Sequence, residues 1–257
     1  MERYYRRKVN PRRQGTLKII VPMAGRGARL SATSELPKPL IPIAGKPMIA
    51  WALDSIRHIP HTKMVFIALA EHEERFGIKN ILKDILGFSP TVVFLDDVTD
   101  GQLCTVLAAR DFLDSEEDVL IASADTYVLS DLQNDIANRS HQCCGIISVA
   151  DLPGDRWSFA RTDESGTVIE VAEKVRISDY ASTGLYYFSN SKQLVEVADE
   201  MIHNKEMTRG EYYVIPVYQK YIEHGWKVTI SIAQEMWDMG TPEALKKFKE
   251  FITLEKS

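Results

Sequence analysis

The sequence predicts one α/β domain in which a mixed, mostly parallel sheet is flanked by helices. Three observations support this fold class. Short apolar strand patterns alternate with helical patterns through the first half of the chain, and a long Gly/Pro-rich stretch directly follows the first strand. A hairpin turn appears only in the second half. Alternating strands and helices favour parallel pairing with right-handed crossovers, whereas a hairpin adds antiparallel strands.

The predicted elements of the first half follow the hydrophobic pattern. Residues 17–21 are short, apolar and β-branched, as in a buried strand, and Pro47 favours the start of a helix after the long loop over 22–47. Further strands are predicted over 64–69, 91–95 and 119–122, and helices over 73–86 and 102–112.

In the second half of the chain, several strand patterns follow one another before the next helical patterns begin. Strand patterns at 157–162 and 167–171 flank the turn Asp163-Glu164-Ser165-Gly166, which predicts a hairpin. The other predicted elements are strands over 145–149, 184–188 and 226–232, and helices over 131–140, 192–203, 213–224 and 243–253. No linker interrupts them, so residues 16–257 are expected to form a single domain. The basic segment 1–15 is expected to be a disordered tail.

Bulk properties exclude several functional classes. The 257 residues carry a formal charge of −5, so the chain has no overall electrostatic footprint for nucleic acid, and anionic substrates need a local cluster of cations. No apolar run reaches the ~20 residues that span a bilayer, and no apolar segment follows the basic N-terminus as in a secretory signal. Cys104, Cys143 and Cys144 form no disulfide or zinc pattern. We therefore expect reduced thiols, no membrane partner and a cytoplasmic protein.

The loop after the first strand is a candidate phosphate site. Gly25 and Gly27 permit close backbone approach, and Arg26, Arg29 and Lys38 supply positive charge. Glycines and arginines in such a loop are also often merely solvated. The loop matches neither the dinucleotide-binding fingerprint, which needs a third glycine opening a helix, nor the P-loop, which needs Ser or Thr after its Lys.

Two carboxylates are candidate metal ligands. Asp125 directly follows a buried strand, at the end where open α/β sheets bind ligands, and Asp238 precedes a Gly-Thr-Pro turn into the last helix. Mg²⁺ prefers one or two carboxylates together with phosphate oxygens. Either residue alone could equally be a turn or capping aspartate.

Taken together, the motifs resemble the sugar-phosphate nucleotidyltransferases (nucleotide-sugar pyrophosphorylases). They occur in the family's order along nearly the whole chain. The motifs are Pro22-Met23-Ala24-Gly25-x-Gly27-x-Arg29-Leu30, Pro37-Lys38-Pro39-Leu40, Gly45-Lys46-Pro47-Met48, Asp125, Glu173-Lys174, Thr183-Gly184-x-Tyr186 and Trp237-Asp238-x-Gly240-Thr241-Pro242. The resemblance implies a Rossmann-like fold of the GT-A type. It also implies a nucleotide and a phosphorylated acceptor bound side by side.

The resemblance further implies a role for each matching residue. Arg29 and Lys38 would act on the triphosphate as the catalytic cations, while Asp125 and Asp238 would share Mg²⁺. The remaining residues would bind the two substrates: Ala24, Gly25, Gly27, Gly101 and Gln102 the nucleotide, and Glu173, Lys174, Thr183 and Gly184 the acceptor. No general base is needed, because the attacking phosphate is already ionised near neutral pH, and positioning and charge compensation suffice.

Departures from the family pattern leave both substrates open. The segment 96–107 replaces the usual base-contact sequence, and Val175 stands where many members have proline. With Gly210-Glu211-Tyr212-Tyr213, these features resemble a subgroup found in surface-polysaccharide gene sets. That subgroup includes cytidylyltransferases that activate non-sugar phosphates such as phosphoglutamine. As the acceptor, a sugar 1-phosphate and another small phosphorylated molecule remain equal alternatives. CTP is favoured as the triphosphate only because of the resemblance to that subgroup.

Two other classes remain as alternatives. A non-catalytic regulatory homologue on the same fold would be expected to have lost Arg29, Lys38 or the two aspartates, and all four are present. A GT-A glycosyltransferase would show an Asp-x-Asp pair, where this chain has Asp125-Thr126-Tyr127. Relatives are often oligomers, so a homo-oligomer is possible, although no sequence feature establishes one.

Overall fold

The computed structural model of the protein describes residues 16–27, 30 and 35–255. The predicted tail over 1–15 and the predicted catalytic residue Arg29 lie outside these ranges. The strands are β1 (Leu17–Pro22), β2 (Pro42–Ile43), β3 (Lys46–Pro47), β4 (Lys63–Leu69), β5 (Thr91–Leu95), β6 (Asp118–Ala122), β7 (Thr126–Ser130), β8 (Cys143–Asp151), β9 (Ser158–Thr162), β10 (Val168–Glu173), β11 (Tyr180–Phe188) and β12 (Lys227–Asp238). The helices are α1 (Met48–Asp54), α2 (Ala70–Phe76), α3 (Ile78–Leu86), α4 (Gln102–Leu107), α5 (Arg110–Leu113), α6 (Leu132–Asn138), α7 (Ser191–His203), α8 (Ile215–Glu223) and α9 (Pro242–Glu255), and a 3-10 turn spans Lys38–Leu40.

The central sheet confirms the predicted fold class. It has ten strands, and its main path runs β5-β4-β1-β6-β11-β8-β12-β7. The first four strands pair in parallel, β11 is antiparallel to both of its neighbours β6 and β8, and β12 is parallel to β8. The predicted hairpin is present as β9–β10, and β9 joins the sheet beside β11. Six of the eight strands on the main path run in the same direction, with β11 and β7 opposite to them, so the sheet is mixed and mostly parallel in strand direction.

Helices cover both faces of the sheet because its central strands are apolar on both sides. Alternation along β1 places Ile20 in one core cluster, with α4, α7 and α8, and Ile19 and Val21 in the other, with α1, α3 and α6. A smaller third cluster joins α1 to α9 and is centred on Met48 and Phe248. None of the helices in the described ranges is long and apolar enough to cross a membrane.

Several helices differ in extent from the sequence prediction. The single helix predicted over 73–86 is two helices, because Gly77 adopts φ +62° and its left-handed conformation ends α2 before α3 begins. The helix predicted over 102–112 is also divided, at Ala108–Ala109, into α4 and α5. α8 begins at Ile215 rather than Tyr213, with a proline in its first turn.

The most consequential difference concerns β7 and β12. The sequence pattern predicts no strand at β7 and ends β12 at Ile232, whereas β12 continues to Asp238. Its first half pairs with β8 and its second half, from Ala233 onward, pairs antiparallel with β7. β7 supplies this second half with a hydrogen-bonding partner beyond the end of β8. This extension determines where Asp238 lies.

Candidate active site

Lys38, Asp125 and Asp238 meet around Gly240. The Lys38 Nζ atom forms an ion pair with Asp125 Oδ2. A Cβ atom placed on Gly240 would lie 2.8 Å from Asp238 Oδ1, 3.1 Å from Lys38 Nζ and 3.3 Å from Asp125 Oδ2. One glycine is thus in close contact with both predicted metal ligands and with the predicted catalytic lysine. A side chain at this position would have to displace these charged groups.

Strand pairing brings the two carboxylates together. Asp125 lies in the turn between β6 and β7, and Asp238 is the last residue of β12, opposite Thr126 at the start of β7. The Met239 N–H donates to the Asp125 carbonyl oxygen at 2.9 Å, and the Gly240 N–H donates to Asp238 Oδ1 at 2.7 Å. These backbone contacts hold the aspartates at the same edge of the sheet.

The described part of the predicted phosphate loop lies beside Lys38. Ala24 is buried, whereas a Cβ on Gly25 would have no atom of the described residues within 4 Å, so among these residues the backbone there is open to a ligand. Gly27 adopts φ +62°, and a Cβ on it would lie 2.7 Å from the Cβ of Lys38. The loop and the lysine that the sequence assigns to one phosphate site are therefore in contact. At its exposed end, Arg26 pairs with Asp97 at 2.7 Å.

The predicted nucleobase segment is fixed by its neighbours. Gly101 has φ +126° and ψ 174°, a conformation essentially confined to glycine, and a Cβ on it would lie 2.6 Å from the Tyr212 backbone nitrogen. Gln102 Nε2 donates to Ser123 Oγ at 3.4 Å, and the Ser123 N–H donates to the Gly184 carbonyl oxygen at 3.0 Å. The nucleobase segment is thus connected through Ser123 to the predicted acceptor strand.

Glu173 forms the buried part of the predicted acceptor site. Its side chain accepts a hydrogen bond from Ser158 Oγ, and its Oε1 lies 3.9 Å from Lys174 Nζ. Burial raises the pKa of Glu173 above its ordinary value of 4.5, and the hydrogen bond from Ser158 opposes this shift. Burial, followed by the nearby charge of Glu173, raises the pKa of Tyr186 to about 12. Tyr186 is therefore a neutral hydroxyl near the carboxylate.

Lys174 is held in an uncommon backbone conformation. Its φ is +56°, the left-handed region that a side chain rarely occupies without compensating contacts. Its N–H donates to the Trp157 carbonyl oxygen at 2.8 Å, and its own carbonyl accepts from Arg209 Nη2 at 3.3 Å. The ammonium group donates to the Tyr213 hydroxyl and lies 4.2 Å from the centre of that ring. Strain of this kind, held by surrounding hydrogen bonds, concentrates at functional sites.

Thr183 and Gly184 occupy different positions within the acceptor strand. The Thr183 side chain is fully buried, and its hydroxyl donates to the Ser148 carbonyl of β8 at 3.3 Å, so it belongs to the sheet interior. Gly184 adopts φ +85°, and a Cβ on it would lie 2.9 Å from the Ser123 Cβ. Of the two, Gly184 is the residue that contacts the rest of the candidate site.

The aspartates fit a divalent cation. Among the described residues no group of three or more His, Cys, Asp or Glu side chains is placed to hold a metal, so a cation at Asp125 and Asp238 would need further oxygen ligands. Mg²⁺ commonly completes its shell with substrate phosphates and water. Lys38 pairs with one carboxylate and Arg156 Nη2 donates to the other, Asp238 Oδ2, at 2.6 Å. Each of the two carboxylates therefore has a basic side chain beside it, at the position where a cation would bind.

The fold brings several residues to this site for which the sequence predicted no role. Gly240 and Tyr213 were part of quoted segments but received no role, and the other missed residues are single polar side chains outside the quoted motifs. Proximity to Glu173-Lys174 in the fold, rather than any motif, identifies most of them. They are Ser123, Arg156, Ser158, Arg209 and Tyr213.

The chain is similar in sequence to known proteins along most of its length. The family described as "Nucleotidyl transferase" matches residues 18–255. The chain is 29% identical over 206 residues to the bifunctional protein GlmU of Thermotoga petrophila, a match that covers 77% of this chain and 43% of the relative. The chain therefore spans less than half the length of that relative. It is 25% identical over 243 residues to a glucose-1-phosphate thymidylyltransferase of Xanthomonas campestris, covering 91% of this chain and 80% of the relative.

Solved structures show the same fold. A nucleoside-diphosphate-sugar pyrophosphorylase from Vibrio cholerae superposes with a TM-score of 0.77 and 26% identity, covering 90% of this chain and 99% of that one. A UDP-glucose pyrophosphorylase complexed with UDP-glucose superposes with a TM-score of 0.74 at 17% identity, covering 93% of this chain and 98% of that one. At that identity the second comparison supports the fold alone.

Proposed function

This chain belongs to the nucleotidyl transferase family, and from that membership we propose that it transfers a nucleoside monophosphate from a nucleoside triphosphate to a small phosphorylated acceptor and releases pyrophosphate. The observation that carries the proposal is the contact of Lys38, Asp125 and Asp238 around Gly240. A triphosphate and an acceptor phosphate repel each other, and a site that joins them must compensate several negative charges at one place.

The two carboxylates would hold Mg²⁺. A bound Mg²⁺ ion polarises phosphoryl oxygens and offsets their charge. Lys38 supplies a further positive charge beside these carboxylates, next to the backbone of Gly27. The open backbone at Gly25 allows triphosphate oxygens to approach the N–H groups of the loop. These residues bind and orient the triphosphate.

On the acceptor side, Lys174 would bind the phosphate and Glu173 would accept hydrogen bonds from the acceptor's polar groups. Arg209 lies next to Lys174 and adds a second cation. In the reaction, an acceptor phosphate oxygen forms a bond to the α-phosphorus while the bond from that phosphorus to the bridging oxygen of the β-phosphate breaks. Pyrophosphate leaves with that electron pair. Because the attacking oxygen is already anionic, no side chain has to remove a proton.

The proposal also concerns the chemical class of the acceptor and the base of the nucleoside triphosphate. A sugar 1-phosphate is supported by the names of relatives such as the thymidylyltransferase of Xanthomonas campestris, and a non-sugar phosphate by the departures at segment 96–107 and Val175. We favour CTP as the triphosphate on the subgroup resemblance. A role in glycan synthesis is supported by a further relative named as a low-salt glycan biosynthesis nucleotidyltransferase, from Haloferax volcanii. We propose that the product serves surface-polysaccharide synthesis and that the reaction takes place in the cytoplasm.

The test is Mg²⁺-dependent pyrophosphate release. CTP, UTP, dTTP, GTP and ATP are each combined with hexose and heptose 1-phosphates, phosphocholine and phosphorylated amino-acid derivatives. Release with one pair, lost in Asp125→Asn and retained in Asp84→Asn, an exposed position on α3, would support the proposal and identify both substrates. Release that persists in Asp125→Asn would contradict the metal assignment. If neither release nor nucleotide binding is detected, the proposed reaction is wrong.

A further inference from the structure

Arg156 contacts the candidate metal site although no motif includes it. It lies between β8 and β9, and its Nη2 donates to Asp238 Oδ2 at 2.6 Å. Its guanidinium also lies 4.0 Å from the centre of the Trp157 ring. The Asp238 side chain is 11% exposed and that of Arg156 is 45% exposed. The arginine therefore reaches a nearly buried carboxylate from the open side of the site.

The segment that carries Arg156 is attached to the acceptor residues. Arg176 Nη1 donates to the carbonyl oxygens of Leu152 at 2.7 Å and Gly154 at 3.0 Å. The carbonyl of Trp157, the next residue after Arg156, accepts the Lys174 N–H at 2.8 Å. Arg156 is thus one residue away from a backbone contact with the predicted phosphate-binding lysine, while its side chain bonds a predicted metal ligand.

Both oxygens of the Asp238 carboxylate accept hydrogen bonds. Asp238 Oδ1 already accepts the Gly240 N–H at 2.7 Å, whereas Oδ2 accepts from Arg156. Asp125 and Asp238 together carry two negative charges, and Lys38 and Arg156 carry two positive charges. A divalent cation bound by the Asp238 carboxylate would raise the sum of these four charges from zero to plus two. The cation therefore competes with the guanidinium, and release of Arg156 lowers that excess to one positive charge.

We propose that Arg156 is a further substrate-binding residue: it neutralises Asp238 until a divalent cation takes that carboxylate, and it then binds the phosphate of the acceptor. This inference rests on the reaction proposed above. A guanidinium is weakly hydrated and offers paired N–H donors that match phosphate oxygens. The attachment of its segment to Lys174 keeps the released group near the predicted acceptor phosphate.

The test measures metal affinity and acceptor kinetics separately. Binding of Mn²⁺ alone, followed by electron paramagnetic resonance, is expected to tighten about two- to fivefold in Arg156→Gln, the range expected when one partly exposed ion pair stops competing. In the Mg²⁺-dependent pyrophosphate assay, the KM for the acceptor is expected to rise about tenfold or more, the effect of losing one charge-assisted hydrogen bond, while the KM for the triphosphate stays unchanged. Arg156→Lys keeps the charge and is expected to restore the wild-type metal affinity but only part of the acceptor affinity.

Arg161→Gln is the matched control. Arg161 pairs with Glu170 on the exposed hairpin, outside the candidate site, so neither measurement is expected to change. If the wild type binds Mn²⁺ and releases pyrophosphate but Arg156→Gln changes neither constant, the inference is wrong and the proposed function stands. Tighter Mn²⁺ binding with an unchanged acceptor KM would overturn the phosphate role. A wild type that neither binds Mn²⁺ nor releases pyrophosphate overturns the proposed function, and this inference with it.

Discussion

The Lys38 ammonium is paired with the Asp125 carboxylate although 87 positions separate the two residues in sequence. Their side chains are 20% and 31% exposed, so the pair is partly shielded from water and accessible from the open side of the site. Lys38 follows the phosphate loop and Asp125 follows β6. The pair therefore joins the two sequence features that predicted a phosphate site and a metal site separately.

Gly240→Ala is expected to damage catalysis much more than folding. The new methyl group would fall within 3.3 Å of Asp238 Oδ1, Lys38 Nζ and Asp125 Oδ2, so these groups must move apart. Misplacement of reacting groups by about 1 Å can lower kcat/KM roughly 10²-fold. Pyrophosphate-release kinetics measure the loss, and thermal unfolding of the same variant checks the fold. Wild-type kinetics in a folded Gly240→Ala protein would contradict the arrangement.

Gly101→Ala is expected to destabilise the fold. The Gly101 backbone has φ +126° and ψ 174°, and the added Cβ would lie 2.6 Å from the Tyr212 nitrogen. Strain in this region costs about 1–3 kcal/mol, before the clash is counted. Urea denaturation measures the loss of unfolding free energy. Gly87→Ala is the control, because Gly87 also has positive φ (+79°) but a Cβ there would have no atom within 4 Å in the described part of the chain. An equal loss in both variants would show that the contact with Tyr212 adds nothing.

Lys174→Met is expected to weaken binding of the acceptor selectively. The variant removes the ammonium beside Glu173 and Tyr213 and keeps much of the side chain's length. Losing a hydrogen bond to a charged group costs about 1.5–3 kcal/mol, so the acceptor KM should rise roughly 10- to 100-fold while the triphosphate KM is unchanged. Steady-state kinetics with each substrate varied in turn make the measurement, and Lys192→Met on the exposed side of α7 is the control. A change confined to the triphosphate KM would reverse the assignment of the two pockets.

Glu173→Gln is expected to change the pH dependence of stability. Burial raises the Glu173 pKa in the folded state above 4.5, so between that value and the raised pKa the folded protein holds more protons than the unfolded chain. Stability contributed by this group therefore falls as pH rises through that window, and the loss persists at higher pH. Glutamine has no charge to desolvate and still accepts the Ser158 hydrogen bond. The variant should therefore lack this pH-dependent loss of stability and be more stable than the wild type at pH 7.

Urea denaturation of Glu173→Gln and wild type from pH 4 to pH 8 makes that comparison. The difference in unfolding free energy should grow in favour of the variant as pH rises. A difference that is constant across the series would mean that Glu173 is not desolvated as described. The same variant is expected to lose acceptor affinity, because the carboxylate that would accept acceptor hydrogen bonds is gone.

Much of the fold was predictable because its signals are local. The apolar run of β1, the alternation of strands and helices and the turn at Asp163–Gly166 each depend on neighbouring residues, and the structure confirms all three. Strand β7 was missed because its five residues, Thr126–Ser130, follow a turn and pair with residues more than a hundred positions later. The break at Gly77 was missed because a helical hydrophobic pattern continues on both sides of it.

By itself, the sequence determined the order and chemistry of the motifs, and hence the fold class and the candidate residues, because hydrophobic period, turn chemistry and residue type are properties of short segments. The tertiary structure alone decided which of those residues meet. It joined Asp125 to Asp238 through the pairing of β7 with β12, turned the Thr183 hydroxyl into the sheet and brought Arg156 to Asp238. Contacts between distant segments depend on register and packing across the whole sheet, and no local pattern encodes them.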